Sequence, residues 1–440
     1  MEIIIKIAQL LLSLSILVIF HELGHFIAAR IFKTRVEKFY LFFNPWFSLF
    51  KFKRGETEYG VGWLPLGGYV KISGMIDESM DKAQLKQEPQ SWEFRSKPAW
   101  QRLIIMVGGV TVNVLLAFII YIGILAYWGE EYLPTSQVNK YGIVADELAV
   151  EMGLQNGDRI LSIDGQLVED FNKIPVTLIL DEAKTIQVER DGQFTNIEIP
   201  EGSLGKLVKL KEPVFLSPRF PFEVVGFSDP SPAREAGLEV HDRIISVNEM
   251  PTYFFDEFVS AVKSLKGEMA HTTVVRGGDT LLYEIQVTEE GMVGIRTDPT
   301  QYFEFYQKEY NLFQAIPAGL TRTVDGIGNY LKQLRLLFSP EVKAYESVGG
   351  FITIGNIFPS TWNWQAFWRL TAFLSIMLAI LNLLPIPALD GGHVMFLVYE
   401  IVSGRKPSDK FMEYAQVAGM IILFGLLIFA NGNDIIRLFK

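Results

Sequence analysis

The chain has no cysteine. No disulfide can brace it and no thiolate can hold a metal, so any metal ligand must be His, Asp or Glu. This absence leaves the cellular compartment open. Histidine is scarce as well, at 5 in 440 residues. Positive charge is in deficit: 40 Lys and Arg stand against 50 Asp and Glu, a net −10 that argues against a nucleic-acid partner. Charged residues make up 20% and hydrophobic residues 49%, a mild shift from globular norms that fits membrane spans joined to water-soluble domains. A basic start is missing too. The first apolar run opens on Glu2, so it reads as retained and not as a removable signal peptide.

Two of the few histidines stand four apart, in His21-Glu22-Leu23-Gly24-His25. On a helix they share a face one turn apart. Two imidazoles so placed can hold one Zn²⁺, and Glu22 beside them can serve as general base. The bland alternative is a coincidental helix face. Context argues against it. Residues 3–20 carry one charge, Lys6, and continued to Ala29 the run is long enough to cross a bilayer. Two histidines and a glutamate are costly in such a segment and functional by default. The first expectation is an intramembrane metal site.

Four apolar segments stand out, at about residues 3–29, 103–128, 366–389 and 414–430. The second has no charge at all. Segments one and three then run parallel, with two and four antiparallel to them. Basic residues set the orientation. The stretch between the first two spans carries many, among them Lys33, Arg35, Lys51, Lys53, Arg54, Lys97 and Arg102, and the link between spans three and four has Arg405, Lys406 and Lys410. Residues 129–139, after span two, have none. By the positive-inside rule the first and third loops are cytoplasmic, and residues 130–365 and both termini lie outside.

Residues 31–102 read as more than a linker. Residues 56–75 alternate apolar and small side chains around Pro65 and Gly67-Gly68, a hairpin signal. Such a hairpin could be an ordinary cytoplasmic one, or its edge could dip to the membrane and receive an extended substrate by strand addition. Residues 77–92 are polar and read as a surface loop.

The long segment contains an internal repeat: AVEMGLQNGDRILSIDG at 149–165 and AREAGLEVHDRIISVNE at 233–249. Two such copies imply two small domains of one kind, not a solenoid. The A-x-x-x-GL-x-x-x-DRI pattern resembles the PDZ domain, which implies a groove between a strand and a helix that takes peptides or loops. The copies are expected at 138–215 and 220–290. His241, where the first copy has Gly157, reads as a solvated loop residue. From 302 to 345 apolar residues recur at helical spacing from Leu312 to Leu337. An amphipathic linker over 302–350 could lie on the outer membrane face or pack on the repeat pair.

Span three ends in Asn382-Leu383-Leu384-Pro385-Ile386-Pro387-Ala388-Leu389-Asp390-Gly391-Gly392-His393. Two prolines in three residues break the helix, which at membrane depth is tolerated only inside protein or beside a wet cavity. Spans one and three are parallel and both polar clusters sit near their C-terminal ends, so both reach a similar depth near the cytoplasmic side; Ile3 to His21 is about 27 Å along a helix. Asp390 is the first choice as third ligand, because two His and one carboxylate leave an open position. His393 is the rival ligand. The plain alternative for Asp390 is capping the next element. Asn382 can offer its amide to a substrate backbone or a developing oxyanion, or hydrogen-bond another helix.

HELGH on the first span, NLLPIPALDGGH on the third and a PDZ-like pair between spans two and three together resemble the site-2 proteases, and within them the bacterial regulator-of-sigma-E protease group. The resemblance covers nearly the whole chain. It implies one Zn²⁺ held by His21, His25 and Asp390, with Glu22 as general base. It implies substrate positioning by Asn382, by the Pro385/Pro387 break, and by Gly67, Gly68 and Tyr69 of a membrane-reentrant β-hairpin over 59–72. It implies that the PDZ pair screens substrates by ectodomain size. Gly349-Gly350-Phe351 departs from the Gly-Gly-Pro frequent before the third span in this family.

The expected fold is a polytopic α-helical membrane protein with four transmembrane helices, two extracytoplasmic α+β PDZ domains and a membrane-associated β-hairpin. Its expected parts are span one with HELGH (1–30), the hairpin region (31–102), span two (103–128), the PDZ pair, the helical linker, span three with NLLPIPALDG (366–390) and span four (414–430). The expected activity is cleavage, inside the bacterial inner membrane, of single-span proteins already trimmed outside, such as anti-sigma factors, and of leftover signal peptides. The lipid bilayer and peptide or protein ligands of the PDZ pair are the other expected partners. Two other classes compete. A PDZ-based membrane scaffold would carry a metal site without catalysis. A metal transporter would use the His and Asp as an ion path, but would show two related membrane halves.

Overall fold

The computed structural model describes residues 1–65, 67–75, 88–210, 215–340 and 348–439. It divides into two compact units, residues 1–129, 309–335 and 345–440 forming one and residues 130–308 and 336–344 the other.

The first unit is mainly helical. Helices α1 (Glu2–Ile31), α2 (Ala99–Trp128), α3 (Leu312–Leu336), α4 (Phe351–Ile357), α5 (Trp364–Leu383), α6 (Asp390–Ser403) and α7 (Asp409–Leu438) make up its frame. Four of them, α1, α2, α5 and α7, are long and apolar enough to cross a membrane. These are the four expected spans, with α7 longer than its apolar centre over 414–430. Helix α1 meets α2 through facing glycines. A Cβ on Gly24 would collide with the Gly108 carbonyl, and one on Gly108 with the Gly24 carbonyl. Only small residues permit so close an approach of two helix backbones. Polar side chains tie α1 to α5 and to the link before it: Thr371 Oγ1 of α5 donates to Ser13 Oγ at 3.0 Å, and the Gln9 amide donates to the Pro359 carbonyl, between α4 and α5, at 2.8 Å.

Between α1 and α2 the chain forms a four-stranded sheet, β1 (Val36–Leu41), β2 (Phe43–Arg54), β3 (Thr57–Leu64) and β4 (Tyr69–Ile72), in the order β2-β3-β1-β4. This corrects the expected hairpin over 59–72. Strands β3 and β4 do not pair with each other, because β1 lies between them, parallel to β3 and antiparallel to β4. The hairpin is instead β2–β3, closed at Gly55 with φ +62. Gly60 explains why β1 fits beside β3: a Cβ there would strike the Tyr40 ring. Strand β4 is left on the sheet edge. The polar loop expected over 77–92 falls mostly outside the described residues.

The linker expected to be helical from 302 is so only from Leu312. Before it, a short turn at Pro299–Tyr302 leads to strand Tyr306–Lys308, which pairs with Glu130–Tyr132 in the second unit. Helix α3 has packing partners within the first unit. Its Tyr330 is buried with Ala117 of α2 and Ile376 of α5, and its Gly326 faces the Ile376 side chain. Part of the linker, 341–347, lies outside the described residues.

The second unit is two copies of one design. Each has a small antiparallel sheet, 159–163, 185–190 and 193–198 in the first copy and 243–247, 269–276 and 279–286 in the second. Each sheet packs against a helix, Ile174–Leu180 or Phe255–Ser264, around its own apolar core. The register slips after Ile160 in one copy and after Ile244 in the other, the same place in the repeat. The repeated aspartates do the same work. Arg190 holds Asp158 through two bonds of 2.7 Å and donates to the Gly153 carbonyl at 2.8 Å. Arg276 holds Asp242 at 2.6 and 2.7 Å and donates to the Gly237 carbonyl at 3.0 Å. Burial alone would raise the Asp242 carboxyl, but the Arg276 guanidinium and the Glu239 N–H outweigh it and hold the group below the usual carboxylate range. His241 is an exposed loop residue at φ +73, near Glu223.

Candidate metal centre

The site begins on α1. The i, i+4 spacing puts His21 and His25 on its buried face, with ring centroids 4.9 Å apart. The third group arrives from the break after α5. That helix stops at Leu383 and α6 starts at Asp390. Pro385 and Pro387 end the helix between them. Gly391 and Gly392 then let α6 fold back, since a Cβ on either would strike the backbone of residues 383–387. Gly419 of α7 lets the Pro387 carbonyl approach in the same way. Ala388 sits at φ +91, outside ordinary L-residue space, and its N–H donates to Gln416 Oε1 at 3.2 Å. This turn aims Asp390 at the histidines rather than at the end of its own helix.

Three ligand atoms converge. Asp390 Oδ2 lies 3.2 Å from His21 Nε2 and 3.2 Å from His25 Nε2, and the two nitrogens are 3.3 Å apart. Ligands about 2.0 Å from a tetrahedral ion are about 3.3 Å from one another, so the triangle has the size that zinc requires. The donor set, two imidazoles and one carboxylate with a position left open, is also that of a catalytic zinc site. Asp390 Oδ2 is buried and accepts no hydrogen bond among the described residues. The ring nitrogens turned away from this point are engaged: His25 Nδ1–H donates to the Ile105 carbonyl at 2.9 Å, and His21 Nδ1 meets the Asn113 amide at 3.1 Å. His393 is not part of the cluster.

A cavity of about 400 Å³ opens on these groups. Its lining includes His21, Glu22, His25 and Asp390, and also Tyr69 and Val70 from the edge strand and Gly68 just before it. The Val70 backbone is within hydrogen-bonding reach of the Glu22 carboxyl. A Cβ on Gly68 would touch Val18 and come 3.5 Å from Glu22 Cγ, so this glycine lets the strand lie against α1. The Tyr69 side chain turns into the sheet, stacked on Tyr40 and donating to Asn44 Oδ1 at 2.8 Å. Asn382 reaches His21 Nε2 at 3.2 Å. The remaining expected residues stand back. Pro385, Pro387 and Gly67, like Asn382, are absent from the cavity lining, where Ala388 and Leu389 appear instead.

Sequence reasoning missed Asn113 and the Ile105 carbonyl, both on α2. The signal for Asn113 was present, as the one carboxamide in a span without charge.

The chain is similar over nearly its whole length to known proteins. A zinc metalloprotease candidate from Campylobacter jejuni is 31% identical over 434 residues, covering 97% of this chain and 92% of its own. The regulator of sigma E protease of Haemophilus influenzae is 27% identical over 456 residues, covering 98% of this chain and 99% of its own. A further zinc metalloprotease candidate, from Xylella fastidiosa, is 27% identical over 97% of this chain and 98% of its own. The model of peptidase family M50 matches residues 9–426. This multi-pass membrane chain therefore belongs to peptidase family M50, the site-2 proteases.

Proposed function

We propose that the chain is an intramembrane zinc endopeptidase that cuts single-span membrane proteins, and that His21, His25 and Asp390 hold the zinc. The observation that carries this reading is the triangle of Nε2, Nε2 and Oδ2 atoms, 3.2–3.3 Å on a side, in a cavity that Glu22 also lines. Zinc at this point supplies Lewis acidity, which polarises a scissile carbonyl and makes water acidic enough to attack at neutral pH. Glu22 takes the proton from the attacking water as its oxygen bonds the carbonyl carbon. The same carboxyl then gives that proton to the departing amide nitrogen as the C–N bond breaks. Asn382, beside His21, is placed to donate to the developing oxyanion or to a substrate carbonyl.

A transmembrane helix ties up its carbonyls, so the substrate must unwind before attack. Strand β4 is the outermost strand of its sheet and its residues line the cavity, which suits it to hold an unwound segment by strand addition. Gly68 and Tyr69 act there through the backbone. The two copies of the second unit, at about 138–215 and 220–290, are PDZ domains in this reading and screen substrates by the size of what remains outside the membrane. They, residues 130–365 generally and both termini lie outside the bacterial inner membrane, with the metal site near the cytoplasmic side. Substrates are single-span proteins already trimmed outside, of the anti-sigma-factor type, and remnant signal peptides. A PDZ-based scaffold with a non-catalytic metal site is the reading that competes.

Metal analysis of the purified protein tests the ligand assignment. About one zinc per chain is expected in the wild type and in Glu22→Gln. His21→Ala, His25→Ala and Asp390→Ala are expected to lose it. Full zinc in Asp390→Ala would remove Asp390 from the set.

A further inference from the structure

We infer that Asn113 is a positioning residue for the metal centre: from α2 it fixes the tautomer of His21 so that Nε2 presents a lone pair. This rests on the zinc reading above. Asn113 is fully buried in an apolar span, and its amide meets His21 Nδ1 at 3.1 Å. The consequence depends on which end of the amide faces the ring. If the NH₂ donates to Nδ1, the imidazole proton sits on Nε2, pointing at His25 and Asp390, and His21 cannot ligate. If Oδ1 faces the ring, it accepts from Nδ1–H and Nε2 is free to bind. The two ends of a carboxamide are alike in shape, and either can face the ring. With NH₂ toward the ring, Oδ1 is buried without a partner. Turning the amide gives that oxygen the Nδ1–H and puts the NH₂ in the unpartnered place, so the choice is made by the metal: ligation through Nε2 requires the ring proton on Nδ1.

Asn113 does not act alone. Ile105, Gly109 and Asn113 fall at i, i+4 and i+8, one stripe on α2. The Ile105 carbonyl fixes the tautomer of His25 at 2.9 Å, as Asn113 does for His21. Gly109 leaves room between them for the rings: a Cβ there would lie 2.6 Å from His21 Cε1 and 2.8 Å from His21 Nδ1. The Asn113 carbonyl is itself pinned to α5, accepting from Ser375 Oγ at 2.8 Å. Groups in this outer position set the orientation and basicity of a metal-ligating imidazole, and their loss costs about 10- to 100-fold in metal affinity.

The test is zinc affinity, read by competition with a chromogenic chelator on full-length protein in detergent. A Glu22→Gln background removes self-cleavage. Asn113→Leu is expected to weaken zinc binding about 10- to 100-fold. Asn113→Asp, which can only accept from Nδ1–H, is expected to restore affinity to near the parent. His21→Ala serves as control for the site itself. Unchanged affinity in Asn113→Leu, beside loss in His21→Ala, would overturn the role of Asn113 and leave the zinc reading standing. Zinc retained in His21→Ala would instead mean that the zinc reading has failed. Thermal unfolding of the zinc-free variants separates positioning from packing. Equal midpoints for parent, Leu and Asp variants support positioning. A lower midpoint in the Leu variant, with no recovery of affinity in the Asp variant, would make Asn113 a packing residue and overturn the inference.

Discussion

In the proposed mechanism Glu22 and the histidines at 21 and 25 have separable tasks, and substitution can separate them. Glu22→Gln keeps the shape of the site and removes the base, so it is expected to retain zinc and to lose cleavage by at least about 100-fold. Single-turnover assays on a model substrate would measure this. Gly109→Ala acts in the opposite sense: it leaves every functional group in place and crowds the rings of His21 and His25. It is expected to weaken zinc binding as well as activity, which equilibrium dialysis would show. At this scale much was legible. That His21 and His25 come together with Asp390 could be expected from the i, i+4 spacing in an apolar run and from two prolines at a matching depth. The Ile105 carbonyl was not legible, because a backbone acceptor leaves no mark in a sequence. The turn at Ala388 was hidden as well, since nothing about an alanine announces a left-handed backbone.

At the scale of elements, β4 is the part on which substrate handling rests in the proposed mechanism. Gly68→Val is expected to push the strand away from Val18 and Glu22 and to lower cleavage about 100-fold with zinc content unchanged. Loss of zinc in that variant would show that the change had spread into the metal site. The repeated Asp–Arg pairs hold the two small sheets, and Asp242 makes their contribution depend on acid. Its folded pKa is depressed, so its stabilisation is complete above the ordinary carboxylate range and is lost as pH falls through the folded value. Asp242→Asn is therefore expected to lower the unfolding temperature at pH 7 and to flatten its fall at low pH, readable by scanning calorimetry. Strand pairing was the least legible feature. The alternation over 56–75 correctly signals β structure, but it cannot reveal that β1, which precedes it in the chain, inserts between its two halves. The partners of helix α3 within the first unit were hidden for a related reason. Its apolar stripe reports that it packs, while its partners, Ala117 and Ile376, are distant in sequence.

At the scale of the molecule, the cluster of His21, His25 and Asp390 is brought together by α1 and α6, with α2 packed behind it, and α1 and α2 are two of the four helices long and apolar enough to cross a membrane. The spans were legible from length and apolarity, and the second unit from its internal repeat. If the repeats act as a size filter, a substrate with a long folded ectodomain is expected to be spared by the full chain and cut once that ectodomain is trimmed. The account stands or falls on the coupling of Glu22 and the metal to peptide-bond cleavage in a membrane. The most direct measurement is cleavage of a tagged single-span substrate with a truncated ectodomain, by wild type and by Glu22→Gln, each with and without a zinc chelator. The account predicts product from the wild type alone, abolished by the chelator and restored by added zinc. Equal product from both proteins, or product that survives chelation, would contradict it.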